Sequence, residues 1–412
     1  MAVREQIEQE ARAAREAAAR LNDGAVADAL EAAASMLRER RADVLDANAA
    51  DVEAAAGSLD EGTLDRLRLH GGRLDELVAQ VEATAALEPL DREIGTRTLA
   101  NGLVVHERRI PIGTVGANFE ARPNVALDVA GQLLKSLNAA VLRTGGVALR
   151  TVTALVDEVL RPALEQAGLP PAAVGLVRSA DREGARVLVS MPSLVPLVIL
   201  RGSGPSTAEL TQLASQNGVR TLAHAEGGGV LYVHSAASLE KALALAEASI
   251  DRLGVCNRLN LALVDRGARE LLEPLLELFR VHGLDVQGEG GAPLDAPIGH
   301  EWASDPERVG TVTVALVDGL EEALRIANDE TSGLAAGIVT EDAGAAERFL
   351  DGYRGTAGFS HAPTRFTDGF ELTGAPETGI NVDGVPGPRG PVTYRDLWLR
   401  QYRIVGDGTQ RR

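Results

Sequence analysis

Between about residues 115 and 340 the sequence alternates short apolar runs with longer helical patterns, and this alternation limits the possible folds more than any other feature. Strand-like runs separated by helical segments of this length predict parallel βαβ units and doubly wound sheets. The predicted strands cover residues 140–143, 174–177, 197–200, 230–233, 260–264, 311–317 and 336–339. The predicted fold class is therefore α/β, and ligands of such sheets gather at the carboxyl ends of the strands.

The segments on either side of this region have different patterns. Residues 3–90 carry apolar residues at helical spacing, as in Val26 and Leu30, and predict a helical N-terminal part. Residues from about 95 to 115 alternate as β-strands do, whereas the closing segment from residue 364 is rich in glycine and proline and loses the alternation. A chain of 412 residues of which 45% are hydrophobic is long enough for two or three packed domains.

The charge balance narrows the possible partners. A net charge of −18 argues against nucleic acid, because phosphate binding needs a basic surface. No apolar stretch approaches the ~20 residues that span a bilayer, so no membrane association is predicted. The single cysteine excludes an internal disulfide and suits a reducing compartment, and we expect a soluble cytoplasmic protein.

Two predicted strand ends carry residues suited to an anionic ligand. One strand is followed by Arg143-Thr144-Gly145-Gly146, and another by Arg201-Gly202-Ser203-Gly204. Glycines allow backbone N–H groups to approach an anion closely, and the arginine fork suits phosphate. The same loops also suit plain turns, and the G-x-G-x-x-G fingerprint of ordinary dinucleotide-binding folds is absent from the sequence.

Cys256 is the only cysteine, and it lies between a helical pattern and an apolar strand-like run. A thiol in this position is suited to nucleophilic chemistry, although a lone cysteine is also commonly a small buried apolar residue. The seven histidines are scattered without the spacing of metal ligands, so no metal site is predicted.

Five short motifs then occur in order along the chain, and together they carry a resemblance to a known family. They are Phe119 to Val125, Gly254 to Asn257, Thr364 to Gly369, Glu377 to Ile380, and Arg389 to Pro391. This series resembles the gamma-glutamyl phosphate reductases, also called glutamate-5-semialdehyde dehydrogenases, of proline biosynthesis. These enzymes belong to the aldehyde dehydrogenase superfamily, and the resemblance covers nearly the whole chain.

The resemblance implies an aldehyde dehydrogenase-like fold with two doubly wound, Rossmann-like domains. The N-terminal helices and the cofactor-binding domain would cover residues 1–228, with a β segment at about 95–112 used for oligomerisation. The catalytic domain carrying Cys256 would cover 229–363, and 364–412 would hold a substrate loop and a second oligomerisation segment. A homo-oligomer is expected on the same basis.

The resemblance also implies an activity, the NADPH-dependent reduction of L-glutamyl 5-phosphate to glutamate 5-semialdehyde and phosphate through a cysteine thioester. Cys256 would be the nucleophile and Asn124 an oxyanion donor, as chemistry at an acyl carbon requires. The cofactor-binding residues would be Arg143, Gly145, Gly146, Gly202 and Ser203. The substrate-binding residues for a small anionic substrate would be Arg122, Asn257, Arg365, Thr367 and Arg389.

The preference for NADPH is inferred from Gly146, which lies where many NAD-preferring members of the superfamily carry a glutamate. Without that carboxylate there is room for a ribose 2′-phosphate, and the nearby Arg143 can pair with it.

The chain departs from the family pattern at several positions, notably Arg258 to Leu261 directly after the cysteine, and these departures leave alternatives open. Glu226 lies where oxidising aldehyde dehydrogenases carry a general base, so a divergent enzyme that oxidises an aldehyde, or reduces another acyl phosphate, is one alternative. A non-catalytic partner of a kinase in the same pathway is another, and the partner kinase expected from the resemblance is glutamate 5-kinase.

Overall fold

The computed structural model describes residues 3–59, 61–202, 204–224, 227–305, 307–384 and 387–411. The chain forms two compact units. Unit 1 consists of residues 1–223, 375–379 and 392–412, and unit 2 consists of residues 224–374 and 380–391. The closing segment is therefore shared between the two units, and the domain ranges implied by the resemblance stay a prediction.

The described residues form a mixed α/β structure. The helices are α1 (Val3–Ala18), α2 (Asp23–Glu39), α3 (Arg41–Ala55), α4 (Glu61–Leu67), α5 (Gly71–Ala85), α6 (Val125–Lys135), α7 (Leu149–Ala154), α8 (Arg161–Gln166), α9 (Arg182–Leu188), α10 (Gly204–Gln216), α11 (Leu239–Ser249), α12 (Leu272–Val281), α13 (Leu320–Asp329), α14 (Ala343–Gly352) and α15 (Gly369–Thr373). The strands are β1 (Glu93–Thr98), β2 (Val104–Pro111), β3 (Thr114–Phe119), β4 (Ala139–Thr144), β5 (Val174–Leu176), β6 (Leu197–Arg201), β7 (Arg220–His224), β8 (Gly229–Val233), β9 (Leu259–Asp265), β10 (Asp285–Gly288), β11 (Thr311–Val317), β12 (Ala335–Val339), β13 (Ala357–Ser360), β14 (Gly379–Asn381), β15 (Gly390–Val392) and β16 (Trp398–Val405). Each of the seven predicted strands is present.

Unit 1 is built on a five-stranded sheet in the order β5-β4-β3-β6-β7. Strand β3 pairs in parallel with β4 on one side and with β6 on the other, so the strand order reverses beside β3. All residues of β3 and β4 are buried because helices cover both faces of the sheet. Helix α2 packs Val26 and Leu30 into the same core, as the helical spacing predicts.

A separate three-stranded antiparallel sheet in the order β1-β2-β16 belongs to unit 1. It contains the β segment predicted at about 95–112 and pairs it with the C-terminal strand, with Leu399 opposite Ile110. Most of β16 is exposed, including the apolar Leu399, Tyr402 and Ile404. Strand β16 was not predicted, because its pairing partner β2 lies far away in the sequence and no helix pattern adjoins it.

Unit 2 contains a six-stranded sheet in the order β10-β11-β9-β8-β12-β13. Its described neighbours all pair in parallel, and β8, β9 and β12 are buried throughout. Apolar clusters cover both faces of this sheet. The predicted α/β class with doubly wound sheets is confirmed.

Further details of the structure have no counterpart among the predicted elements. The helical segment between β4 and β5 contains a π-helical turn, Leu155–Leu160, between α7 and α8. Strands β7, β10 and β13 were not predicted because they are short and start or end in polar residues. Among the described residues, no helix is both long and apolar enough to cross a membrane.

Candidate active site

Cys256 lies in the turn between α11 and β9, at the amino end of a central strand of unit 2. Gly254 begins the turn with a φ of +70°, a conformation that glycine adopts without steric cost. The side chain of Cys256 is partly exposed and packs beside the apolar residues Leu334, Ala335 and Ile380. The thiol is thus held against an apolar wall with access to solvent, which suits a nucleophile better than a core residue.

The glycine run at 227–229 lies directly against the cysteine turn. The N–H of Gly228 donates to the carbonyl of Cys256 (2.6 Å), and the N–H of Gly229 donates to the carbonyl of Arg258 (2.7 Å). A Cβ on Gly227 would lie 2.5 Å from the Cβ of Cys256, which no side chain tolerates. These glycines are therefore required for close approach of two backbones at the thiol.

Three predicted substrate residues, Asn257, Arg365 and Thr367, are brought together in unit 2. The Nδ2 of Asn257 donates to the carbonyls of Arg365 and Thr367, both at 3.0 Å, and Arg365 donates to the Oδ1 of Asn257. Arg365 also pairs with Asp251 at 2.6 Å. The Asn257 amide thereby fixes the 365–367 loop beside the nucleophile, and Arg365 is the partly exposed cation of the group.

Arg258 shows what the departure after the cysteine does in this fold. Its side chain is 2% exposed, and its guanidinium donates to the carbonyls of Val309 and Thr311 and to that of Leu259. Burial lowers the pKa of Arg258 to about 10. Arg258 therefore ties the segment before β11 to β9, a structural role next to the site.

Asn260 fixes a second segment, residues 300–302, next to the nucleophile. Its Nδ2 donates to the carbonyl of His300 (2.7 Å), and its Oδ1 accepts the N–H of Trp302 (2.9 Å). The residue between them, Glu301, places its Oε1 2.6 Å from the position that a Cβ on Gly227 would take. The Glu301 carboxylate and Cys256 are therefore neighbours across Gly227. The sequence patterns did not indicate Glu301, because it lies in an irregular loop 45 positions after Cys256 (301 − 256).

Arg389, the remaining predicted substrate residue of unit 2, lies among backbone carbonyls. It donates to the carbonyls of Arg354 and Val382. These contacts fix the backbone at Arg354 and Val382, and the substrate role of Arg389 stays a prediction. Ser203 and Glu226 lie outside the described residues.

In unit 1 the predicted oxyanion donor Asn124 follows a strained turn at the carboxyl end of β3. Ala121 has a φ of +43°, which is uncommon for a residue with a side chain and is typical of functional turns. Asn124 directly precedes α6 but does not cap it, although asparagine is a favoured capping residue. Its Nδ2 instead donates to the Oδ2 of Asp128 (3.1 Å). Arg122 lies in the same turn, where its carbonyl accepts the N–H of Val125 (3.1 Å).

Asp128 is an acidic residue that sequence reasoning missed. Its pKa is raised to about 7, chiefly by burial; Arg201 and the hydrogen bond from Asn124 lower it, and the neighbouring Glu377 contributes to the rise. Arg201, at the end of β6, pairs with Glu377 at 4.0 Å, and both side chains are mostly buried. Asp128 lies four positions after Asn124, a spacing at which two residues share one face of a helix, and that spacing could have revealed it.

The predicted cofactor residues lie at the carboxyl edge of the unit 1 sheet, beside the point where the strand order reverses. Arg143 donates to the Oδ1 of Asn118 (3.1 Å) and to the carbonyl of Asp181 (2.9 Å), and its buried Nε has no hydrogen-bond partner among the described residues. Burial lowers the pKa of Arg143, and Glu120 and Asp181 counteract that shift.

The glycines at this edge differ in the space around them. A Cβ on Gly145 would meet no atom within 4 Å, whereas one on Gly146 would lie 3.1 Å from the Cβ of Ala180. A Cβ on Gly202 would lie 3.2 Å from the carboxyl carbon of Glu120, which accepts a hydrogen bond from Ser206 (3.1 Å). Strand-end glycines, one of them beside open space, therefore lie at the edge where such sheets bind dinucleotides.

Comparison with known proteins points to the family that the five sequence motifs resemble. The sequence pattern of the aldehyde dehydrogenase family matches residues 309–387. The gamma-glutamyl phosphate reductase of Thermotoga maritima is 28% identical, with 99% of this chain and 100% of that chain covered and a TM-score of 0.91. That of Saccharomyces cerevisiae is 23% identical, with 98% of each chain covered and a TM-score of 0.53. An engineered glycolyl-CoA reductase with bound NADP+ is 14% identical, with 97% and 96% covered and a TM-score of 0.70.

The last two likenesses concern the fold alone, whereas the first extends to the sequence over the full length. The resemblance indicated by the five motifs is confirmed. The chain thus has an aldehyde dehydrogenase-like fold and is an oxidoreductase of that type, similar over its whole length to the gamma-glutamyl phosphate reductase of Thermotoga maritima.

Proposed function

We propose that this protein reduces L-glutamyl 5-phosphate to glutamate 5-semialdehyde and phosphate, with NADPH as the reductant, in proline biosynthesis. The full-length similarity to the Thermotoga maritima gamma-glutamyl phosphate reductase is the observation that carries the proposal. The partly exposed thiol of Cys256, held by glycine packing and two asparagine tethers, is consistent with it.

In the proposed reaction the sulfur of Cys256 attacks the acyl carbon, phosphate leaves, and a thioester remains on the enzyme. Asn124 donates from its amide to the oxygen that becomes negative at each tetrahedral stage. Its contact with Asp128 fixes which way that amide points. Arg365, already adjacent to the cysteine turn, supplies positive charge for the anionic substrate.

The nicotinamide cofactor would supply the hydride that converts the thioester to an aldehyde. The residues at the carboxyl edge of the unit 1 sheet fit such a group, because a Cβ on Gly145 would meet no atom within 4 Å and strand-end glycines let backbone N–H groups approach phosphate. The absence of a side chain at Gly146 leaves no carboxylate there to repel a ribose 2′-phosphate, which favours NADPH over NADH.

The proposal extends to assembly. The apolar Leu399, Tyr402 and Ile404 are exposed on β16, in the three-stranded sheet, and would be covered in a homo-oligomer. Glutamate 5-kinase is the proposed second partner, because an acyl phosphate hydrolyses readily in water and its producer and consumer benefit from proximity.

The test follows the reverse reaction with glutamate 5-semialdehyde, measuring NADP+ reduction with and without phosphate in the wild type and in Cys256→Ala. We expect phosphate-dependent activity that falls by about 10³-fold or more in the variant. Activity that needs no phosphate would instead favour an aldehyde oxidiser. Full activity in Cys256→Ala would refute the thioester mechanism.

A further inference from the structure

Glu301 is a carboxylate beside the thiol that the proposed reaction does not yet use. The Oε1 of Glu301 and the Cβ of Cys256 lie 2.6 and 2.5 Å from the same point, the position of a Cβ on Gly227. Glycine at 227 is what allows them to approach, since any side chain there would separate them. Glu301 is partly exposed, so the carboxylate is accessible to solvent protons.

The backbone around Glu301 is held from both sides. The preceding carbonyl, of His300, and the following N–H, of Trp302, both bond to the side chain of Asn260. Trp302 is fully buried, and its indole N–H donates to the Oγ1 of Thr313 at 2.9 Å. Arg308 stacks over the same indole ring at 4.1 Å. An irregular loop held this firmly places one particular carboxylate at the nucleophile.

We propose that Glu301 accepts the proton of the Cys256 thiol when the sulfur attacks. This inference rests on the proposed function for the identity of the acyl group. As the S–C bond forms, the thiol proton moves to the Glu301 carboxylate, and it passes to the phosphate oxygen as the C–O bond breaks. With the hydride that a bound nicotinamide cofactor would supply, the sulfur leaves as a thiolate and takes one proton from solvent. Atoms and charge balance over the cycle.

The other charged or titratable groups near Glu301 and Cys256 make contacts of their own. Arg365 lies beside Asn257 and is paired with Asp251, and the guanidinium of Arg258 is occupied by carbonyls. His300 packs edge-on against the indole of Trp302, with ring centroids 4.5 Å apart. Glu226, which lies outside the described residues, is the competing candidate for the same role, so the experiment compares the two glutamates directly.

The experiment measures the rate of alkylation of the thiol by iodoacetamide between pH 5.5 and 10. Cys256 is the only cysteine in the sequence, so the rate reports this thiol alone. The proteins are the wild type, Glu301→Gln, Glu301→Asp, Glu226→Gln and the control Glu307→Gln, which alters an exposed carboxylate of the same segment. Circular dichroism verifies that each variant is folded.

A carboxylate beside a thiol disfavours the thiolate, so its removal lowers the thiol pKa. We expect alkylation at pH 7 to be about threefold to tenfold faster in Glu301→Gln, while turnover falls by roughly 10²-fold. Glu301→Asp keeps the charge and is expected to stay close to the wild type in alkylation. An unchanged alkylation profile in Glu301→Gln, or a shift in Glu226→Gln alone, would overturn the proposal.

The alkylation assay needs neither substrate nor cofactor, which separates two kinds of failure. If the wild type does not turn over glutamate 5-semialdehyde but Glu301→Gln still shifts the alkylation profile, the proposed substrate is wrong and the thiol–carboxylate pair stands. If turnover is as proposed and the profile does not shift, Glu301 is only a structural residue.

Discussion

In the parallel sheet of unit 1 the candidate functional residues lie at the carboxyl ends of the strands, whereas in that of unit 2 they lie at the amino ends. In unit 1 the residues of interest follow the carboxyl ends of β3, β4 and β6, the usual place for ligands of a doubly wound sheet. In unit 2 the nucleophile precedes the amino end of β9, and the glycines that contact it precede β8. The same sheet architecture therefore supports two different ways of building a site.

The difference lies in what positions the side chains. At the carboxyl edge of unit 1, strand ends deliver Arg143, Gly145 and Arg201, and the space beside Gly145 is open. At the amino edge of unit 2, Asn257 and Asn260 bind loops that come from distant parts of the chain. An open edge can admit a large ligand, whereas a tightly tied edge can hold a reactive group in one orientation.

The largest effect is expected from Asn124→Ala at the carboxyl edge. Removing one oxyanion donor typically lowers kcat by about 10² to 10³-fold. We expect that loss in steady-state turnover, with unchanged alkylation of Cys256, because the proposed role of Asn124 is toward the acyl oxygen and not toward the thiol. Asn217→Ala, at an exposed position after α10, is the matched control. A kcat within a factor of about three of the wild type would exclude Asn124 from oxyanion stabilisation.

A matched pair of glycine variants compares the packing of the two edges. Gly227→Ala would place a Cβ 2.5 Å from that of Cys256, so we expect a loss of roughly 1–3 kcal/mol in the free energy of unfolding. Gly145→Ala meets no atom within 4 Å and has a φ of −64°, so its stability should be unchanged or slightly higher. Urea unfolding followed by circular dichroism measures both. An equal loss of unfolding free energy in the two variants would contradict the difference in packing between Gly145 and Gly227.

Asp128→Asn tests the electrostatics of the carboxyl edge, with the smallest expected effect. Since the pKa of Asp128 is raised to about 7 in the folded protein, the folded state holds an extra proton between about pH 4 and 7. Stability conferred by the protonated form is therefore lost as the pH rises through that window. Because Asp128 keeps some contact with solvent, we expect the variant to be more stable than the wild type by only about 1–2 kcal/mol at pH 8.

The measurement is the midpoint of thermal unfolding at pH 5 and pH 8. The wild type should lose stability between these values, and the loss should be smaller in Asp128→Asn. Asp28→Asn, an exposed aspartate of α2, serves as the control and should leave the difference unchanged. If the unfolding midpoint changes by the same amount between pH 5 and pH 8 in the wild type and in Asp128→Asn, Asp128 does not titrate in this window.

Much of the fold was predictable because strand and helix patterns are local. The run at 311–317 is found as β11 with the same limits, and the run at 336–339 is found within β12, Ala335–Val339. Strand β16 was missed because its partner β2 lies almost 300 positions earlier, and pairing over that distance leaves no local signal.

Some residues of the candidate site were likewise predictable from local sequence patterns, and others were not. Cys256, Asn124 and Arg143 were singled out from motifs and strand ends, and their roles stay predictions that the experiments above address. The parts played by Asn257, Arg258 and Asn260 were not predictable, because each acts on backbone groups of a distant loop. Residues that depart from a family pattern can thus serve the site as tethers.

The sequence by itself determined the α/β class, the family resemblance and the identity of the lone thiol, because these depend on periodicity, motif order and composition. Only the tertiary structure decided which groups surround that thiol. Glu301 reaches Cys256, and Asp128 lies within the field of Arg201 and Glu377, through contacts between segments far apart in the chain. Proximity of this kind, with the burial that accompanies it, sets proton affinities, and no local sequence pattern encodes it.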